Sequence, residues 1–270
     1  MTTSVKRLAG GGASHHLLDM LTRVLLGLLL FAGPAAAQGW RATYDVTVAG
    51  VTVMEADVTF DLGAPGAPYN IESRIRSRGL ATMLFRGEQH SRSEGVWQGT
   101  TTRPRVHETN GNWRGAPRRI LLHYGSDGAP RIMALEPQQD MERTPVPEAD
   151  RRGTVDSLTA LIQLTHQVGR TARCDMRART FDGRRLTQYE VTTDPISHVA
   201  DRGLLRCLVE SRPLAGLPVD RPIEDATRPT RSHLVFGVPQ PGAPAVPVRI
   251  EIASRWWGTI TATLTGISPR

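Results

Sequence analysis

Beyond its first 37 residues the chain carries six histidines, His90, His107, His123, His166, His198 and His233, and two cysteines, Cys174 and Cys207. No two of these histidines stand at H-x-H or H-E-x-x-H spacing, and no C-x-x-C or Cys/His cluster accompanies them, so the ligand patterns of zinc sites are absent. A serine hydrolase would hold its nucleophile on a sharp G-x-S-x-G turn, and the sequence has none. The nearest candidate is Asp156-Ser157, at the start of an apolar-periodic run. Helix capping and a negative charge at a helix N-terminus account for both residues without catalysis. No glycine-rich phosphate loop or dinucleotide fingerprint appears. The expectation is a protein that is not an enzyme and needs no cofactor or metal.

The residues that suggest binding are apolar and aromatic. Met83, Leu84, Phe85, Trp97, Trp113, Trp256 and Trp257 are the candidate ligand-lining set, because a curved sheet packed around one helix leaves room for an apolar guest. Core packing is the competing reading for each.

The elements that would position them alternate with period two, the mark of half-buried antiparallel strands. Tyr44 to Val48 and Met54 to Leu62 form a hairpin through Ala49-Gly50, and Gly63 to Pro68 ends the second arm. Tyr69 to Gly79 places Ile71 and Ile75 opposite Arg74, Arg76 and Arg78, a solvated stripe. Leu80 to Phe85 reads as a bulged strand or a helical turn. Gly87 to Trp97, Arg105 to Asn110 and Arg118 to Tyr124 are further strands. Pro130 to Asp150 reads as a long irregular connection anchored by Met133 and Leu135.

One helix stands out, from about Val155 to Val168, with Leu158, Leu161, Ile162 and Thr165 at the spacing of a buried face. Thr154 or Asp156 is its expected N-cap and Gly169 its expected stop. Cys174 to Phe181 and Arg185 to Thr192 flank the Asp182-Gly183 turn. Leu204 to Val209 carries Cys207, Pro213 to Pro229 reads as a loop or partial lid, and two strands from Val246 onward close the domain. The architecture expected is mainly β: a curved antiparallel sheet or open half barrel packed around one amphipathic helix, in a single domain over residues 38–270.

Residues 1–37 have the three parts of a secretory signal: Lys6, Arg7 and Arg23; the apolar run Val24 to Ala32; and the small residues Ala35-Ala36-Ala37. Nine apolar residues are too few to span a hydrocarbon core that needs about 20. The expected address is the periplasm, with Gln38 as the first residue after cleavage and Met20 as an alternative start. Export would let Cys174 and Cys207 form a disulfide, read as a staple between neighbouring strands. Closing a loop of about 34 residues is worth roughly 3–4 kcal/mol.

Thirty-three basic residues exceed 26 acidic ones, but the arginines are scattered among acids and threonines. A nucleic-acid binder would cluster them beside stacking aromatics, so no nucleic acid is expected. Surface solvation is the plain reading, and contact with anionic envelope material such as phospholipid headgroups is the alternative.

Six motifs in order resemble an exported bacterial family, domain of unknown function 3108. They are Tyr44-Asp45-Val46 with Gly50 and Ala56; Arg78-Gly79-Leu80-Ala81 with Leu84-Phe85-Arg86; Asp156-Ser157-Leu158-Thr159-Ala160-Leu161; Cys174 with Phe181-Asp182-Gly183-Arg184-Arg185; Cys207 ahead of Pro213-Leu214-Ala215-Gly216; and Val246 to Glu251 before Gly258-Thr259. The resemblance implies an envelope-associated, mostly antiparallel β protein without a known catalytic site. Three functions stand open: a binding module for a lipid-like or other apolar envelope ligand, an interaction protein recruiting an envelope partner, and a hydrolase of envelope polymers.

Overall fold

A computed structural model describes residues 39–64, 66–79, 81–84, 86–113, 115–138, 141–194, 203–254 and 258–270, without the side chains of Leu84 and Trp113. The expected secretion signal lies outside the described residues. Residues Ala37–Arg270 make one compact unit.

Its strands are β1 (Trp40–Val48), β2 (Val51–Asp61), β3 (Pro68–Ser77), β4 (Gly87–Gln98), β5 (Thr101–Trp113), β6 (Ala116–Tyr124) and β7 (Pro130–Glu136), followed by β8 (Met176–Phe181), β9 (Leu186–Thr193), β10 (Leu205–Ala215), β11 (Thr230–Gly237), β12 (Val246–Ser254) and β13 (Gly258–Pro269). The helices are α1 (Ala81–Leu84), α2 (Ser157–Thr171) and α3 (Ile223–Ala226). All thirteen strands form one sheet in the order β7-β6-β5-β4-β3-β2-β1-β13-β12-β11-β10-β9-β8, every neighbouring pair antiparallel. The sheet curls until its two ends approach, a nearly closed barrel.

Local chemistry explains much of this path. Ala49 and Gly50 both take positive φ, 49° and 80°, as a two-residue hairpin loop of the tight twisted kind requires. Register shifts between Thr43 and Tyr44, between Val46 and Thr47 and between Glu94 and Gly95 are bulges that bend strands and let the sheet curl. Inward side chains pair directly across strands: Tyr44 opposite Ala56, Ala56 opposite Ile75, Phe60 opposite Ile71. On the outer face the arginine stripe is exposed and ion-paired. Arg76 and Arg78 both donate to Glu55, and Arg41 holds Asp57 at 2.8 Å.

The helix α2 runs through the interior, and no residue from Leu158 to Val168 is exposed. Asp156 is its N-cap and accepts from the Thr159 N–H. The helix does not stop at Gly169: it continues to Thr171, and Ala172, in the left-handed region at φ 50°, caps it with its N–H on the Val168 carbonyl. The seam between the sheet's ends is filled by Leu122, Val146, Phe181 and Leu186 with Ile120 and Ile132 around them. Val155 pairs with the outer edge of β8, its N–H on the Arg179 carbonyl and its carbonyl receiving the Phe181 N–H.

Three expectations need correction. The stretch from Pro130 opens with β7, a strand whose first residue is a proline, where no ladder donor is lost. Within it Met133 is 58% exposed and anchors nothing. The stretch Pro213 to Pro229, expected as a loop or partial lid, begins inside β10, which reaches Ala215, and the strand β11 follows it directly from Thr230. Cys174 precedes β8, and its partner Cys207 lies on β10, two strands away across β9, so the staple does not join neighbouring strands.

Candidate functional site

Between α2 and the concave face of β1, β2, β3, β12 and β13 lies a cavity of 270 Å³. The sheet contributes Tyr44, Val46, Val58, Phe60, Ile75, Ile250 and Ala262, and the helix contributes Leu158, Leu161 and Ile162. Ser73, Thr165 and the Tyr44 phenol are the polar exceptions. Burial pushes the Tyr44 phenol well above its ordinary range, so it stays a neutral donor. Val46, Val58, Ile75, Leu158, Leu161 and Ile250 are only half-buried, which means that water reaches apolar side chains pointing into the barrel.

Apolar cavities of about 150 Å³ already hold benzene, whereas drug-sized pockets begin near 300 Å³. The space therefore suits one alkyl chain or a compact apolar group and is too small for a whole multi-chain lipid.

A second face of α2 meets β3, β4 and β5 through a polar cluster. Asp156, fully buried, accepts from the Thr159 hydroxyl at 2.7 Å and the Ser93 hydroxyl at 2.8 Å. Tyr69 and Thr159 hydroxyls lie 2.9 Å apart. His107 Nδ1 stands 3.4 Å from Asp156 Oδ1 without hydrogen-bond geometry. Burial pushes the Asp156 carboxyl up, but the His107 imidazole and the Thr159 hydroxyl and N–H outweigh it and hold the carboxyl below the usual range. Lower on the helix, Gln163 donates to Thr102 at 2.6 Å.

This cluster contains an acid, a histidine and a serine, and it is closed to solvent: Ser93 and Asp156 are 0% exposed and His107 4%. Its work is to cap α2 and hold it at a fixed height in the barrel. Of the residues in it the sequence singled out Asp156; His107, Ser93 and Tyr69 lie on three different strands, and no spacing links them.

The candidate ligand-lining residues separate. Trp97 is buried, donates its indole N–H to the Leu62 carbonyl, and stacks on His166 with ring centres 4.3 Å apart; it packs the end of the barrel below the cavity and does not line it. Burial and the nearby Arg170 lower the His166 pKa, favouring the neutral ring that lies against the indole. Met83 is 83% exposed on α1, away from the cavity. The side chains of Leu84 and Trp113, and Phe85, Trp256 and Trp257 altogether, lie outside the described residues. The residues that do line the cavity follow ordinary core alternation in the sequence, and a gap between them leaves no mark there. Cys174 and Cys207 form a disulfide, their Cα atoms 5.8 Å apart.

Fold and site together define a nearly closed antiparallel β-barrel with a plugging helix and an apolar chamber beside it. The chain belongs to the family described as Protein of unknown function (DUF3108), whose model matches residues 43–265. No curated protein matches it. Among solved structures, a β-barrel-like protein of a domain of unknown function, DUF1849, from Brucella abortus is similar at 11% identity and a TM-score of 0.49, over 87% of this chain and 98% of its own.

Proposed function

We propose that the protein is an exported, non-catalytic binding module of the cell envelope that holds an apolar or lipid-like ligand beside α2. The observation that carries this reading is the 270 Å³ chamber with its almost wholly apolar lining. An unfilled apolar cavity forgoes dispersion contacts, and one that is also wetted keeps apolar surface in water; a guest relieves both. The periplasmic address is supported by the basic, apolar and small-residue order of residues 6–37, and the disulfide suits an oxidising compartment. The sealed position of Asp156 and His107 favours binding over hydrolysis.

Native mass spectrometry of the protein purified from a periplasmic fraction, followed by solvent extraction, tests this. The expected result is an apolar adduct lost on extraction. A protein that arrives empty and takes up no fatty-acid probe would overturn it, and crosslinking in cells would then test recruitment of an envelope protein.

A further inference from the structure

Because every neighbouring pair of strands is antiparallel, the β1–β2, β3–β4, β5–β6, β10–β11 and β12–β13 connections all fall at one end of the barrel. The segment after β7 joins them there: the Thr144 N–H donates to the Leu217 carbonyl and the Val219 N–H to the Glu142 carbonyl, within the β10–β11 connection. Large exposed apolar side chains collect at this end. Met83 is 83%, Met141 81%, Ile223 72%, Val219 58% and Val51 56% exposed, on four stretches of the rim, with Val219 and Ile223 sharing the β10–β11 connection. Among the described residues the opposite end has Val238 alone, and Met133 stands on the barrel wall in the middle of β7.

Single exposed apolar residues are ordinary on a soluble protein, but their segregation to the tips of one end is not. Exposed arginines accompany them. Arg86 after α1 and Arg118 at the start of β6 have no ion-pair partner among the described residues, and Arg185 and Arg228 stand exposed beside Asp182 and Asp225. The lining of the chamber is wetter toward this end: Val46 and Ile75, near the far ends of β1 and β3, are half-buried, whereas Phe60 and Val246, at the opposite end, are buried.

Apolar tips that enter the headgroup boundary, flanked by arginines that meet lipid phosphates, are the composition of an interfacial contact. We propose that this end of the barrel docks on an anionic phospholipid membrane, with the chamber mouth facing the lipid. The docking surface is made of outward side chains and does not depend on what occupies the chamber.

Flotation with vesicles of phosphatidylcholine alone, and of phosphatidylcholine mixed with phosphatidylglycerol, tests it. The protein should float with the anionic vesicles, and less so as salt rises. An Arg86→Gln, Arg118→Gln double variant should bind the anionic vesicles on the order of tenfold more weakly. A Met83→Ser, Ile223→Ser variant should weaken by on the order of tenfold or more, while Val238→Ser binds as the parent does. All are exposed, so unchanged melting temperatures exclude misfolding.

Absence from both vesicle types overturns the proposal, as does binding that both rim variants retain in full. Self-association that the rim variants abolish, without vesicle binding, makes this end a protein interface and also overturns it. Docking with an empty chamber, or a filled chamber without docking, separates this inference from the binding function.

Discussion

His107 and Asp156 face each other 3.4 Å apart in the middle of the barrel, and the carboxylate is wholly cut off from solvent. The strands β6 and β7 lie between them in the chain, yet the fold sets His107 against the residue that caps α2. A buried carboxylate is tolerable only when it is well hydrogen-bonded, and Asp156 is: Ser93, the Thr159 hydroxyl and the Thr159 N–H donate to it.

Replacing Asp156 by Asn should keep the cap geometry and remove the charge that Ser93, Thr159 and His107 surround. The expected cost is about 3 kcal/mol, read as a lowered urea midpoint. The folded-state pKa of Asp156 is lowered, so its charge contributes stability that is full above its unfolded value near 4 and is lost as pH falls through the folded value. The gap between parent and variant should therefore narrow below about pH 4. A gap that stays constant down to about pH 2 would show that the charge is not what matters.

Gly95 makes room for Tyr69. A Cβ there would fall on the Arg103 carbonyl and on the Tyr69 hydroxyl and ring edge, and Tyr69 is the residue that reaches Thr159 at the head of α2. Gly95→Ala should cost about 1–3 kcal/mol. Tyr69→Phe should cost about 1 kcal/mol by leaving Thr159 one partner short. Equal melting temperatures for Gly95→Ala and parent would contradict the contact.

Reducing the Cys174–Cys207 bond, or changing both residues to Ser, should lower stability by roughly 3–4 kcal/mol. Non-reducing mass analysis of the protein should find it two hydrogen atoms lighter than its reduced form. Two free thiols in material from a periplasmic fraction would contradict the pairing.

Ala262 sits on the chamber wall opposite Val46 and Ile250. Ala262→Phe should place its ring in the empty volume, so the melting temperature should hold or rise, in contrast to the loss of about 1–3 kcal/mol that overpacking a filled core brings. Uptake of a fatty-acid probe should fall sharply. A large drop in stability would mean that the space is not there.

Much of the fold was legible in local pattern. Met54, Ala56, Val58 and Phe60 against Glu55, Asp57 and Thr59 announce a half-buried strand, and Leu158, Leu161, Ile162 and Thr165 announce a packed helix face. The reading was incomplete where local signals compete with context. Thr159, Gln163 and His166 look like the wet side of a helix, but polar groups on β4 and β5 satisfy Thr159 and Gln163 and the Trp97 ring covers His166. Pro130 suggested a loop because proline removes a ladder donor, a loss that does not arise at the first residue of an edge strand. The candidate aromatics were selected by residue type, and size alone does not say whether a ring fills a core, as Trp97 does, or borders a space.

By itself the sequence determined the antiparallel β class, the single long helix, a cap for it at Thr154 or Asp156 and the two cysteines able to pair, because alternation, capping and residue chemistry act over a few neighbours. Only the tertiary structure decided that β1 closes on β13, that Cys174 reaches past β9 to β10, that His107 answers Asp156, and that the helix leaves a chamber on one side. These depend on contacts between distant stretches of chain, and a cavity is set by how a curved wall and a helix fit together, a property no single segment carries.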